Sequence, residues 1–436
     1  MSTPDYIPVN DWIAHHARFS PGREAMHDLA SDRHFTYGEM HDRVDLAAKY
    51  LRDGLGIGEE DRVAVLCHND TDMFEIQFAC RRLGAIFLPL NWRLAVPELE
   101  YICKDAAPKV LLYGTELTSE AVEIQRLAEV PAIASLNNGG DSDYEAGLAA
   151  AAASGVAPVA APPRQLTDIW TLMYTSGTTG RPKGAKITYQ MAVFNSVQCV
   201  MTTEITCNSK NLVFLPIFHT GGLNVYGNPM FHTGGCNVVL RTFEPDYFLA
   251  LLSNKALNIT HALGVPTNYL MMAQVPGFAD ADLSHIVCLG VGGAAAPLSL
   301  IEEFGDKGIN LQQGWGMSET GPLGLMLSGD QAISRVGSSG LPPLYVKLRI
   351  VDEAENDVVQ GETGEMLIQG PVVTPGYWNR EAEHDDFFTP DGWFRTGDAA
   401  RQDEDGYYYI VDRTKDMFIS GGENVYPVEV ENVIFQ

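Results

Sequence analysis

Short apolar runs separated by stretches of helical periodicity narrow the fold of this chain more than any other feature. Arg62–Cys67 and Ala85–Pro89 read as buried strands, and Phe74–Leu83 between them reads as an amphipathic helix. Thr36 and Glu39 form a T-x-x-E capping box, after which Met40, Val44, Ala47, Ala48 and Leu51 recur at helical spacing. Buried strands joined through helices run parallel and are covered on both faces. A second series of strands is expected near Asp168–Tyr174, Asn211–Pro216, Cys236–Leu240 and Ile286–Leu289. The texture changes after about Ser334. Runs such as Leu344–Val351 and Glu365–Gln369 are punctuated by Pro342-Pro343, Gly361, Gly364, Gly370 and Pro375-Gly376, which predicts a small, mostly antiparallel, β-barrel-like unit. The expected fold class is α/β: two doubly wound α/β subdomains at about 1–165 and 166–333, then the β-barrel-like subdomain at 334–412. Residues 146–164, rich in Ala and Pro, are expected to link the first two. Val428–Phe435 has the pattern of the opening turns of another helix, on which the chain stops.

With 436 residues, the chain is long enough for two or three domains or subdomains. A formal net charge of -27 argues against nucleic-acid or anionic-membrane partners, and obliges any phosphate site to build its own local field. The seven cysteines are odd in number and never spaced as CxxC, which disfavours disulfide scaffolding and structural zinc and fits a reducing cytoplasm. The N-terminal MSTPDYIPVNDW lacks a basic head and an apolar stretch, so no signal peptide is expected. No run approaches the roughly 20 apolar residues that span a bilayer, so no stable membrane insertion is expected.

Tyr174–Gly184, YTSGTTGRPKG, follows an apolar strand and concentrates four hydroxyl residues beyond the tyrosine, three glycines and two cations. Glycines let backbone N–H groups approach oxygens closely, and hydroxyls donate to the same oxygens, which suits a polyphosphate. It is not a Walker A loop, because Arg181 and Pro182 separate Gly180 from Lys183. Farther on, Gly290, Gly292 and Ala295 satisfy G-x-G-x-x-A after an apolar run. A dinucleotide-binding turn would need an acidic residue about twenty positions later. Ile309–Gln313 stands there instead.

YTSGTTGRPKG resembles the phosphate-loop signature of the adenylate-forming superfamily, which includes acyl-CoA synthetases, luciferases and peptide-synthetase adenylation domains. The other motifs agree in order over essentially the whole chain. The resemblance implies that Thr175, Ser176, Gly177, Thr178, Thr179, Gly180 and Lys183 hold ATP phosphates. Gly314-Trp-Gly-Met-Ser-Glu-Thr320 resembles the aromatic-Gly-x-Thr-Glu motif, with Ser318 in place of the commoner Thr. By that match Trp315 packs on adenine, Gly314, Gly316 and Met317 join it in binding ATP or AMP, Ser318 contacts the α-phosphate, and Glu319 binds Mg²⁺. Gly293 and Ala294 would form the opposite wall of the adenine slot, with Gln313 near the exocyclic amine. Asp398 and Arg413 match the elements that hold the ribose, Lys415 matches the hinge, and Gly421 and Gly422 match a loop beside the CoA pantetheine path. Residues 1–412 would then form the large domain, and 413–436 the hinge and first part of a mobile α+β C-terminal domain. A further lysine, expected in a Pro-x-Gly-Lys element beyond this loop, has no counterpart in the sequence.

The reaction implied is AMP-forming: the acid's carboxylate attacks the α-phosphorus of ATP, pyrophosphate leaves, and the CoA thiolate takes the acyl group. Lys183, His219 and Glu319 are the catalytic candidates, and ATP, Mg²⁺ and CoA the expected ligands. His219 stands where amino-acid-activating relatives commonly have Asp, so an α-amino acid is disfavoured. His219, Gly221, Gly222, Gly292 and Gly316 are expected to border the acid pocket. Gly316 replaces a tryptophan of acetate-specific relatives and is expected to leave room for a medium- or long-chain fatty acid or an aromatic acid. Loading of an acyl-carrier protein, a luciferase-like activity and a non-catalytic nucleotide-binding role remain alternatives, as does a homodimer.

Overall fold

The computed structural model describes residues 11–155, 159, 164–175, 181–413, 418–420 and 423–425. Three larger sheets organise them, and Phe418–Ser420 pairs with Glu423–Val425 in a separate two-stranded one. The first has six strands in the order Ala132–Leu136, Val110–Gly114, Arg62–Leu66, Ile86–Pro89, Ile169–Thr175 and Lys183–Thr188. All pairs are parallel except the last, which is antiparallel.

The second sheet has eight strands, in the order Leu325–Met326, Leu311–Trp315, Cys288–Val291, His261–Gly264, Lys210–Val213, Cys236–Val239, Glu24–Asp28 and Arg33–Thr36. Its interior pairs are parallel and both edge pairs are antiparallel. Strand pairing therefore crosses the division expected near residue 165. Glu24–Asp28 joins Cys236–Val239, while Ile169–Thr175 and Lys183–Thr188 complete the first sheet.

The third sheet is an antiparallel meander of Lys347–Val351, Gly364–Gln369, Phe394–Gln402 and Tyr408–Arg413. It is open, which corrects the barrel-like expectation. Four strands are too few to enclose a packed interior. One face instead buries Ile350, Met366, Ala400 and Tyr408 against Leu325 of the second sheet.

The helix Tyr37–Lys49 begins at the expected capping box, with Thr36 Oγ1 accepting from the Glu39 N–H and Glu39 accepting from the Thr36 N–H. The segment read as a linker needs correction. Asp143–Ala153 is a helix, N-capped by Ser142 and anchored by buried Tyr144 and Leu148. Alanine has the highest helix propensity of any residue, so an Ala run with two anchors folds where composition alone suggests a tether. The Val428–Phe435 pattern lies outside the described residues.

Helix Thr71–Leu83 is not amphipathic in its setting, because all thirteen of its residues are buried. It packs against strands of the first sheet and against Glu24–Asp28 of the second, so it has no solvent face. Its charges must then be neutralised inside the protein. Arg43 donates to Glu75 at 2.6 Å and to Glu145 at 2.6 Å, Arg33 to Asp72 at 2.9 Å, and the Tyr144 hydroxyl to Glu75 at 3.1 Å. Burial, then neighbouring Glu75, pushes the Asp72 carboxyl up to about 7. Among the described residues, no helix is long and apolar enough to cross a membrane.

Removing one partner of a buried ion pair leaves an uncompensated charge in the interior. Arg43→Met is therefore expected to cost about 3–5 kcal/mol. A lowered urea midpoint, with no shift for a surface control such as Arg126→Met, would be the supporting result.

Candidate active site

The strand Ile169–Thr175 turns back into Lys183–Thr188, and the register sets Thr175 directly opposite Lys183. Ser176, Gly177, Thr178, Thr179 and Gly180 lie outside the described residues; both ends of their loop are described. At the entry, the Tyr174 hydroxyl donates to Asp105 at 2.6 Å, and Arg380 approaches the same carboxylate at 3.4 Å. At the far end, Lys183 Nζ lies 4.4 Å from the Phe387 ring centre and 3.7 Å from Glu383 Oε2.

Glu319 is 3% exposed, in the tight helical turn Ser318–Thr320 that follows the second sheet's strand Leu311–Trp315. Thr175 Oγ1 donates to its Oε1 at 3.2 Å, and the Tyr377 hydroxyl donates to the same oxygen at 2.7 Å. The Glu319 main-chain carbonyl accepts from the Thr374 N–H at 2.8 Å. Both side-chain donors use Oε1, which leaves Oε2 for a cation. A hard carboxylate oxygen beside a phosphate loop suits Mg²⁺, whose octahedron phosphates and water would complete. Tyr377 and Thr374 escaped sequence reasoning, because Pro375-Gly376 registers as a turn and hides the aromatic pair that follows it.

A second part of the site is built across two sheets. Asp398 and Arg413 are direct cross-strand partners in the third sheet. Asp398 is 4% exposed, and its Oδ2 accepts from Trp315 Nε1 at 2.9 Å. One side of the Trp315 ring lies against Gly324, where an added Cβ would come within 2.5 Å of it. Nearby, the chain leaves the strand Cys288–Val291 in a turn whose Gly293, Ala294 and Ala295 are exposed, with Gly293 at φ +79° and Ala296 buried. Gln313 holds this turn from below. Its Oε1 accepts from the Ala296 N–H at 2.9 Å, and its Nε2 donates to the Ala294 and Gly314 carbonyls at 3.2 Å each. Its amide is thus spent largely on the wall of the slot. Gly314 pairs with Met326, Met317 is half-buried, and Ser318 is buried.

The segment carrying His219 follows the strand Lys210–Val213. A π-helical turn, Gly221–Gly227, succeeds His219; such turns recur at functional sites. His219 Nδ1 accepts from the Gly221 N–H at 3.1 Å, which leaves the proton of the neutral ring on Nε2. The side chain reaches solvent but stands in a concave setting, where desolvation lowers its pKa. A small cleft beside it is lined by Phe214, Leu215, Gly221, Gly222, Tyr226 and Leu263. Leu263 bridges this segment and the strand Cys288–Val291: it lies 3.7 Å from the place of a Cβ at Gly221 and 3.0 Å from one at Gly290.

The glycines divide sharply. A Cβ at Gly292 would meet only the Gly314 carbonyl, at 3.4 Å, so Gly292 borders open space. One at Gly222 would lie 2.3 Å from the Pro216 carbonyl oxygen. One at Gly316 would lie 1.5 Å from the Pro322 carbonyl oxygen. The expectation that Gly316 opens the acid pocket is therefore corrected: the missing side chain admits the backbone of Pro322, not a longer acid. Lys415, Gly421 and Gly422 lie outside the described residues, as does the Arg413 side chain.

Residues 13–378 match the family described as "AMP-binding enzyme". The chain is 37% identical over 429 residues to a feruloyl-CoA synthase of Amycolatopsis, covering 98% of this chain and 83% of that protein. It is 35% identical over 430 residues to an indoleacetate–CoA ligase of Aromatoleum aromaticum, covering 98% and 82%. The crystal structure of ATP-bound MatB from Rhodopseudomonas palustris superposes with a TM-score of 0.87 at 30% identity, covering 98% and 82%.

Because Pro322 occupies the space, Gly316→Ala is expected to lower thermal stability by about 1–3 kcal/mol and to depress activity on short and long acids alike. A selective shift toward short acids in kcat/KM, at unchanged stability, would restore the pocket reading.

Proposed function

Given that the chain belongs to the AMP-binding enzyme family, we propose that it joins an aromatic or a medium- to long-chain fatty acid to CoA through an acyl-adenylate. AMP-forming acid–CoA ligase activity is the family-level part of this reading. The choice of acid is the finer part, and the feruloyl-CoA synthase and indoleacetate–CoA ligase among its relatives favour the aromatic alternative. The observation that carries the reading is the buried Glu319 carboxylate, bonded to Thr175 at the mouth of the Gly/Thr loop. A triphosphate along that loop puts its charge beside this carboxylate, and its ribose toward Asp398 and Arg413.

Attack of a carboxylate on the α-phosphorus brings two anions together, so the site's tasks are positioning and charge compensation. In this reading Thr175, Ser176, Thr178 and Thr179 donate hydroxyls, the backbone at Gly177 and Gly180 donates N–H groups, and Lys183 leaves Glu383 to meet a phosphate. Mg²⁺ held by Glu319 would neutralise phosphate charge when bound. Ser318 donates to the α-phosphate. Trp315 and the Gly293–Ala294 turn hold adenine between them, with Gln313 keeping the turn in place. Asp398, as a buried anion, suits the vicinal ribose hydroxyls, which must compete with Trp315 Nε1 for it. Neutral His219 offers its Nε2–H to one oxygen of the acid and leaves the other free to attack. The acid then extends along Gly221 and Gly292. Lys415 serves as the hinge, and Gly421 and Gly422 flank the thiol path. A cytoplasmic site of action completes the reading.

Pyrophosphate release is the direct assay, across ferulate, benzoate, indoleacetate, octanoate and palmitate, with CoA or a carrier-protein thiol as acceptor. Release that depends on one of these acids, followed by acyl-CoA formation, supports the proposal; silence with every acid sinks it. Glu319→Gln is expected to slow Mg²⁺-dependent release by about 10²–10³-fold. His219 has a pKa below its ordinary value of about 6.5, so its neutral form prevails at pH 7 and above. Wild type and His219→Asn should therefore differ by a constant factor in kcat/KM for the acid between about pH 7 and 8. A ratio that changes across that interval would contradict a neutral imidazole.

A further inference from the structure

The hairpin of Glu24–Asp28 and Arg33–Thr36 forms one edge of the eight-stranded sheet, while Leu311–Trp315 lies near the opposite edge. His27 and His34 are direct cross-strand partners, so their side chains share one face. Their rings stack at 3.7 Å between centres with 19° between planes. Strict alternation would send Glu24 and His27, three residues apart, to opposite faces. The register shift between Glu24 and Met26 re-aims Glu24. Its Oε1 comes within 2.8 Å of His34 Nδ1.

One potential ligand atom from each of Glu24, His27 and His34 lies within 4.8 Å of the other two. Asp32, in the hairpin turn, brings Oδ1 to 3.3 Å from His27 Nε2 and 3.6 Å from His34 Nε2. His27 is 7% exposed, and its Nδ1 is a buried nitrogen without a hydrogen-bond partner among the described residues. Nothing in adenylation chemistry calls for two histidines and two carboxylates at this edge.

We propose that Glu24, His27 and His34, with Asp32 as a fourth donor, bind a divalent transition-metal ion of the zinc class. Two imidazoles and a carboxylate are a typical donor set for such an ion. Ligand atoms around tetrahedral zinc stand about 3.3 Å apart, given Zn–N near 2.05 Å. The ligand atoms of Glu24, His27 and His34 lie within 4.8 Å of one another, so binding draws them together, with His34 giving a single nitrogen to the ion. Parallel rings must also turn so that their lone pairs converge. The His34 and Asp32 side chains are 54% and 89% exposed, so His34 can turn by giving up its present contact with Glu24, while His27 stays fixed. Lys210 neutralises the other oxygen of Glu24 at 2.5 Å and sets an upper limit on affinity. The bound ion would pin the edge strand to its neighbour, a structural role separate from catalysis.

The test is equilibrium dialysis of the apo protein against Zn²⁺ at neutral pH, with thermal melts in parallel. Wild type should bind one equivalent that His34→Ala and Glu24→Gln weaken at least about tenfold, and Zn²⁺ should raise the melting midpoint of wild type alone. His34 is half exposed, so its replacement should leave the fold intact, as circular dichroism without metal would verify. Cobalt(II) should give a visible ligand-field band in wild type and lose it in His34→Ala. Equal binding by wild type and both variants, or no binding by wild type, overturns the proposal.

Discussion

Three sheets meet at one buried carboxylate. Glu319 leaves the end of the second sheet, Thr175 comes from the last turn of a first-sheet strand, and Tyr377 comes from a connection of the third. A carboxylate that is 3% exposed needs compensation, and here it draws two hydroxyl donors to the same oxygen. That requirement fixes the relative positions of the Gly/Thr loop's first residue, the Glu319 carboxylate and an aromatic support for Lys183. Chemistry and architecture therefore depend on the same contact. Replacing Tyr377 or Thr175 would disturb the site without touching any residue of the family's motifs except the first of the loop.

A second constraint acts farther back. Helix Thr71–Leu83 is covered on all sides, yet it carries Asp72, Glu75, Arg81 and Arg82 into the interior. Such ion pairs add little net stability over an apolar core, but they tolerate no loss of a partner. Arg33 joins this helix to the hairpin that pairs with a strand from the distant half of the chain. The charges thus serve to specify how the sheets are set around the helix.

Much of this was legible in the residues. The capping box at Thr36 and Glu39 specifies a helix start by local hydrogen bonding, and the structure uses it. Asp398 and Arg413 stand fifteen positions apart in the sequence, and an antiparallel turn makes them neighbours. Other features were not legible. EAMHD and RHFT lack apolar alternation, and they become strands only because Cys236–Val239 offers them an edge. The Ala-rich stretch before residue 154 looked like a tether because composition does not reveal that Tyr144 and Leu148 anchor it. Gly316 looked like an opening because a sequence names a missing side chain without naming what fills its place.

The sequence by itself determined the alternating α/β class, the antiparallel third unit and the residue types proposed to meet a nucleotide. These follow from local periodicity, turn chemistry and short-range spacing. Only the tertiary structure decided which sheet each strand joins, that Tyr377 supports Glu319, that Gln313 holds a turn, and that Pro322 fills the space beside Gly316. Those outcomes depend on contacts between segments far apart in the chain. Close packing settles such contacts by excluded volume and by the need to pair every buried polar group.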